Sequence, residues 1–269
     1  MKLILFGSNG MLGSYLKSYL SNKYDILPLT RKDIDLANVS ESELLIFLQN
    51  NVKKDDIVVN AAGVIKQREY DAKDMIMVNA IFPNILAKFK DKIGCEIIHI
   101  TTDCVYSGNK GLYDESSLHD CTDDYGKSKS LGENIKLTNI RTSIIGEEKL
   151  NKKSLLEWLR SNKNKTINGY DNHLWNGITC LELCKLVNEI IKTNSYWHGI
   201  RHVFSPNTVS KYELTNMINE IYDLNIKINK VTTNINCYRN LSSKFPKLIT
   251  KTLYEQILEL KNYSDHNIV

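Results

Sequence analysis

Lys2-Leu3-Ile4-Leu5-Phe6-Gly7-Ser8-Asn9-Gly10-Met11-Leu12-Gly13 decides how the rest of the chain is read. The first five residues are a short apolar run. The glycines follow at once, and Ser14-Tyr15-Leu16-Lys17-Ser18-Tyr19-Leu20 then places apolar residues at helical spacing. The pattern is strand, glycine turn, helix. Such a turn leaves the free N–H groups and the positive end of the helix facing the strand end, a geometry suited to a pyrophosphate. Gly7 permits the tight turn, Gly10 lets the backbone approach the phosphates, and Gly13 lets helix and strand pack closely. Gly7, Ser8, Asn9, Gly10, Met11, Leu12 and Gly13 are therefore the first candidates for contact with a nucleotide. The spacing is Gly-x-x-Gly-x-x-Gly rather than Gly-x-Gly-x-x-Gly, so the context carries more than the motif.

At 269 residues the chain has room for one large α/β domain with a smaller lobe. A charged fraction of 25% and a net charge of +4 suit a globular protein that could favour an anionic small molecule, and no basic block interleaved with aromatics suggests a nucleic-acid groove. No run approaches the ~20 apolar residues of a membrane span, and the N-terminus does not read as a signal peptide. The six cysteines form no Cys-x-x-Cys pair, which predicts free thiols in a reducing cytoplasm and no metal site.

Tyr24 to Leu29 predicts the second strand. At its end an acidic residue would bind the ribose 2′-OH of NAD, but Thr30-Arg31-Lys32 stand there, two cations and a hydroxyl that suit the 2′-phosphate of NADPH. Asp35-Leu36 is expected to close a short third strand and to line the adenine. Ser40 and Glu43 form a capping box before a helix. Asp56 to Asn60 reads as a buried strand, and the small residues at its end (Asn60, Ala61, Ala62, Gly63) leave room for a ligand. One long helix is expected from Ala72 to Lys90, carrying Asn79, with Pro83 kinking it or moving its start. Cys95 to Ile100 is the next strand, with Thr102 and Asp103 at its end facing the substrate. Tyr125 and Lys129 share a helix face, and Leu131, Ile135 and Leu137 are read as continuing that helix.

Alternating strands and helices imply an α/β fold, a doubly wound parallel (Rossmann) sheet, over residues 1–146. The pattern changes after Gly146. Residues 147–269 are read mainly as a smaller C-terminal substrate lobe, with a segment of about 175–200 returning to the first domain.

Thr102, Tyr125 and Lys129 carry the chemistry. When hydride reduces a ketone, the oxygen gains negative charge and needs a proton. A tyrosine can supply it. A nearby ammonium lowers the phenol's pKa and can hold the nicotinamide ribose, and a threonine hydroxyl can hold the carbonyl. Tyr-x-x-x-Lys alone says little in a lysine-rich chain with 14 tyrosines. Its place after a glycine turn and a strand-end threonine makes the reading. In the second lobe, Arg239 can clamp a diphosphate, and Trp158 or Trp175 can stack on a base or sugar.

With these segments in view, and with Val78-Asn79-Ala80, Ile100 to Gly108 and Ile140-Arg141-Thr142-Ser143, the chain resembles the extended short-chain dehydrogenase/reductases. Within them it resembles the dTDP-4-dehydrorhamnose reductase type of sugar-nucleotide reductase. The resemblance implies Tyr125 as proton donor, Lys129 as its partner, Thr102 as the third member, and Asn79 beside the cofactor. It implies NADPH-dependent reduction at C4 of a nucleotide-linked 4-keto-6-deoxyhexose, with Lys66 and Gln67 facing that sugar, and a homodimer. Val64-Ile65-Lys66-Gln67-Arg68 replaces the acidic segment usual after Asn-Ala-Ala in the rhamnose enzymes, so a UDP-linked 2-acetamido-4-keto sugar fits as well as a dTDP-linked one. An epimerase or dehydratase of the same superfamily, and an idle NADP-binding subunit, are the alternatives.

Overall fold

The computed structural model describes residues 1–65, 71–148, 150 and 152–267. Lys66 and Gln67 lie outside them. β1 (Lys2–Phe6) leads into α1 (Met11–Leu20), followed by β2 (Asp25–Leu29), α2 (Glu41–Asn51) and β3 (Ile57–Asn60). α3 (Ala72–Ile76), a π-helical turn (Met77–Ile81) and α4 (Phe82–Ile93) come next, then β4 (Glu96–Thr102), α5 (Asp124–Leu131) and β5 (Thr138–Thr142). The second half holds β6 (Ile144–Ile145), α6 (Leu155–Ser161), β7 (Thr166–Tyr170), β8 (His173–Trp175), β9 (Ile178–Thr179), α7 (Cys180–Thr193) and β10 (Gly199–His202). It ends with β11 (Val209–Ser210), α8 (Lys211–Ile221), β12 (Lys227–Val231), β13 (Cys237–Tyr238) and α9 (Leu253–His266).

Six parallel strands form the central sheet in the order β10-β5-β4-β3-β1-β2. Alternate residues of each buried strand feed the two faces. Leu3, Leu5, Val59 and Ile98 pack with α1, α7 and α9 on one side, while Ile4, Phe6, Val58 and Ile97 pack with α2 and α4 on the other. β2 is an edge strand, where the missing N–H of Pro28 costs little. After β1 the chain turns one way to β2, then crosses back over β1 to β3, and this reversal opens a crevice at the carboxyl ends of β1 and β3. β7 pairs with β12, and β8 lies between β11 and β13, in two small sheets outside the main one.

Two expectations need correction, and a third gains a detail. Asp35-Leu36 closes no strand: Thr30 to Val39 is a pair of turns, held because Asp33 accepts from the Thr30 N–H and Oγ1 and Asp35 accepts from the Ala37 N–H. Such local bonds outcompete a strand ladder. The long helix runs without a break over residues 72–93, as expected, but a π turn that carries Asn79 is inserted in it; Pro83 sits just after this turn, in the first turn of α4, where its missing N–H is harmless. α5 stops at Leu131, because the next residue, Gly132, lies against the π turn, where a Cβ would stand 2.0 Å from the Asn79 carbonyl oxygen. Ile135 is exposed beyond it, and Leu137 leads into β5.

Candidate active site

A cavity of about 780 Å³ lies over the carboxyl ends of β1, β3, β4 and β5. Its floor is the glycine turn. Gly7 has φ +76°, and a Cβ on it would meet the Ala62 backbone at 2.7 Å. On Gly13 a Cβ would stand 2.0 Å from the Gly7 carbonyl oxygen. These closures put strand, turn and helix in direct contact. α1 has no side-chain cap, whereas α2, α5, α7, α8 and α9 all have one. Its first N–H groups thus face the cavity with Asn9, Gly10, Met11 and Leu12 along the wall. An uncapped, positive helix end over a glycine-shaped cradle fits a dinucleotide's pyrophosphate.

The other residues singled out in the sequence divide into lining and supporting groups. Thr30, Arg31, Asp35, Leu36, Ala61, Ala62 and Gly63 line the cavity. Arg31 and Asp35 pair at 3.2 Å. Lys32 is exposed and stands outside the lining. Ser8 is buried, donating from N–H and Oγ to the Leu29 carbonyl at 3.0 Å, so it ties the turn to β2. Asn60 is buried too: its Oδ1 accepts from Ala62 N–H at 3.1 Å, and its Nδ2 faces Nδ1 of His99 at 3.1 Å. Asn79 works from behind. It clasps Val64, accepting from its N–H and donating to its carbonyl at 2.9 Å each, and donates to the Ser128 hydroxyl at 3.1 Å.

Thr102, Tyr125 and Lys129 all line the cavity. The Thr102 hydroxyl lies near enough to the Tyr125 phenol to influence its charge. That hydroxyl also approaches the Asp103 carboxylate at 3.2 Å and accepts from the Cys104 N–H at 3.2 Å. Burial pushes the phenol above its ordinary value and Cys104 adds to this, while the Thr102 side chain acts against it. The phenol is therefore held protonated. Lys129 does not offset that burial, in contrast to the lowered phenol expected from the pair. Burial also lowers the Lys129 ammonium to about 8, opposed by Glu133. Its Nζ donates to the Ile100 carbonyl at 2.8 Å.

Asp103 and Arg239 also line the cavity. Burial raises the Asp103 carboxyl, against the pull of Arg239 and Lys211. Arg239 donates to Sγ of Cys104 at 3.3 Å, and its Nε is buried without a partner. Trp175 does not reach the cavity. Only 4% exposed, it packs in the main core because Asn176-Gly177 folds beneath its ring, where a Cβ on Gly177 would stand 2.1 Å away. Trp158 is half exposed on α6. Sequence reasoning passed over the wall formed by Thr142 to Ile145, Glu148 and Ser154, and over Cys104. Thr142 ends β5 and Ser154 caps α6. The rule that ligands gather beyond strand carboxyl ends could have found this wall.

A family model described as RmlD substrate binding domain matches residues 1–256. The chain belongs to this family. The spore coat polysaccharide biosynthesis protein SpsK of Bacillus subtilis (strain 168) is 30% identical to it over 250 residues, 86% of this chain and 83% of that protein. The dTDP-4-dehydrorhamnose reductase of Aggregatibacter actinomycetemcomitans is 28% identical over 229 residues, 79% of this chain and 76% of the other. In fold, the chain matches a dTDP-4-dehydrorhamnose reductase from Bacillus anthracis, solved in complex with NADP, with a TM-score of 0.81 at 22% identity, covering 98% of this chain and 99% of that one. Membership in the RmlD family makes the protein an oxidoreductase of the dTDP-4-dehydrorhamnose reductase-like type. Among the described residues no helix is long and apolar enough to cross a membrane, and no cluster of His, Cys, Asp or Glu is suited to hold a metal ion.

Proposed function

We propose that the protein reduces the C4 ketone of a nucleotide-linked 4-keto-6-deoxyhexose with NADPH. The observation that carries this reading is that Thr102, Tyr125 and Lys129 converge in the same cavity as the glycine turn. Residues 1–146 contribute the cofactor side and residues 147–269 mainly the substrate side. NADPH, when bound, supplies the hydride. The uncapped start of α1 receives its pyrophosphate, and Arg31 its 2′-phosphate. Lys129 spends one N–H on the Ile100 carbonyl and keeps two for ribose hydroxyls. Thr102 holds the ketone oxygen beside Tyr125. The protonated phenol gives its proton to that oxygen as negative charge develops there. The Lys129 ammonium then stabilises the phenolate until solvent returns a proton. Arg239, with a buried Nε in need of an acceptor, clamps the sugar nucleotide's diphosphate.

Either a dTDP-linked 4-keto-6-deoxyhexose or a UDP-linked 2-acetamido-4-keto sugar satisfies this chemistry. NADPH oxidation should be followed with both sugars, each with and without a 3,5-epimerase. Turnover with one of them that falls by roughly 10²–10⁴ in Tyr125→Phe supports the reading and identifies the sugar. NADPH binding without turnover on either would move the assignment to a non-catalytic NADP-binding subunit or an epimerase.

A further inference from the structure

Behind Lys129 lies a buried ionic group that the reaction as described leaves unused. Glu133 lies two residues past the end of α5, which carries Lys129. Its side chain is 2% exposed, and that of Arg141 on β5 is 1% exposed. One carboxylate oxygen accepts from the Thr101 hydroxyl at 2.8 Å and from Nε of Arg141 at 2.9 Å, and the other accepts from Nη2 of Arg141. Arg141 is fully engaged. Besides Glu133, its N–H groups reach the Tyr106 hydroxyl, His202 Nε2 at 2.8 Å and His119 Nε2 at 2.8 Å. Thr101 sits next to Ile100, whose carbonyl accepts from Lys129. The carboxylate and the ammonium are therefore gripped by consecutive residues of one strand.

We propose that Glu133 is a positioning residue for Lys129: fixed by Arg141 and Thr101, its carboxylate keeps the lysine charged and held at the cavity wall. A fully desolvated ammonium loses its proton readily unless an anion stands nearby. The charged and titratable groups around Lys129 are Tyr125 on α5, Glu133 just beyond its end, His99 on β4, and Arg141 of β5 behind the carboxylate. Burial and the lysine charge keep His99 neutral. Tyr125 is held protonated. Glu133 is the anion that opposes the loss of charge on Lys129. The buried Arg141 in turn holds the Glu133 carboxylate in place through two N–H groups.

The role of Lys129 rests on the reductase reading, but the link to Glu133 can be measured without cofactor or substrate. In protein labelled with ¹³C-lysine, the Lys129 Cε resonance is assigned by its loss in Lys129→Arg and titrated with pH. In Glu133→Gln the midpoint should fall by about one pH unit or more. NADPH affinity should then weaken at a correspondingly lower pH. Glu133→Gln/Arg141→Gln removes the carboxylate together with its guanidinium partner, so that no buried arginine is left unpaired, and carries the same test if the single variant does not fold. An unmoved midpoint, with lower melting temperature alone, would overturn the proposal and leave Glu133 a structural anchor. Inactivity of the native protein on both sugars would overturn the reductase reading while leaving this titration interpretable.

Discussion

At the scale of single residues, this site depends on what burial does to ionisable groups. Tyr125 is kept protonated by its surroundings and Lys129 is brought down to about 8. Activity that needs the ammonium is therefore present at neutral pH and lost as pH rises through about 8. The pH profile of kcat/KM should show that alkaline limb; a flat profile to pH 10 would contradict it. Arg31 is the cavity's cation at the end of β2, and Arg31→Ala should reduce the preference for NADPH over NADH by about tenfold or more. The ratio of the two dissociation constants reads this directly, and an unchanged ratio would assign the 2′-phosphate elsewhere. Arg31 was readable from the chain because a strand end followed by cations has a direct electrostatic meaning. Lys32 was not separable from it, since which of two neighbours faces inward depends on turns set by Asp33 and Asp35.

At the scale of elements, the π turn between α3 and α4 is what the sequence hid. A continuous apolar pattern from Ala72 to Lys90 looks like one helix, and Pro83 reports only that something changes. The π turn matters because it presents Asn79 to Val64 and lets Gly132 seat against the Asn79 carbonyl. Asn79→Ala leaves the Val64 N–H and carbonyl without their partner, which should cost about 1–3 kcal/mol. It should also weaken NADPH binding, because Val64 and Ile65 line the cavity. Denaturant unfolding and a binding titration check both effects; full stability with full affinity would show that the clasp is dispensable. The end of α5 was misread for a related reason. Periodicity ran on to Ile135 and Leu137, but the backbone of Gly132 had already been claimed by a distant turn. Local patterns report faces, and they do not report where two backbones need to touch.

At the scale of the molecule, the alternating pattern was legible early because parallel strands buried on both faces leave near-continuous apolar runs. The small sheets were less so: β11 and β13 are two residues each, too short for any alternation to register. The Arg141 network joins these parts, since His202 donates from Nδ1 to the Ser242 carbonyl while accepting from Arg141. His119 and His202 are both held below their ordinary values, mainly by burial. Neutral in the fold, they take up protons more readily once unfolded. Their contribution to stability is complete above about pH 6.5 and is lost as pH falls below it; for the buried His202 the slope approaches roughly 1.4 kcal/mol per pH unit until the folded form also protonates, and for the more exposed His119 it is smaller. Melting temperature should drop between pH 7 and 5.5, and His202→Gln, which cannot titrate, should flatten part of that slope. An identical slope in the variant would remove His202 from the account. The cavity has a further consequence for synthesis. Gly7 and Arg239 both line it, and Arg239 is hung on Leu174 by its own N–H. The glycine turn is translated long before Arg239, so the lining is complete only when residues far along the chain have been made. A product truncated before Arg239 would also lack α9, which shares its core with α1 and β1, and the cradle itself would lose its support.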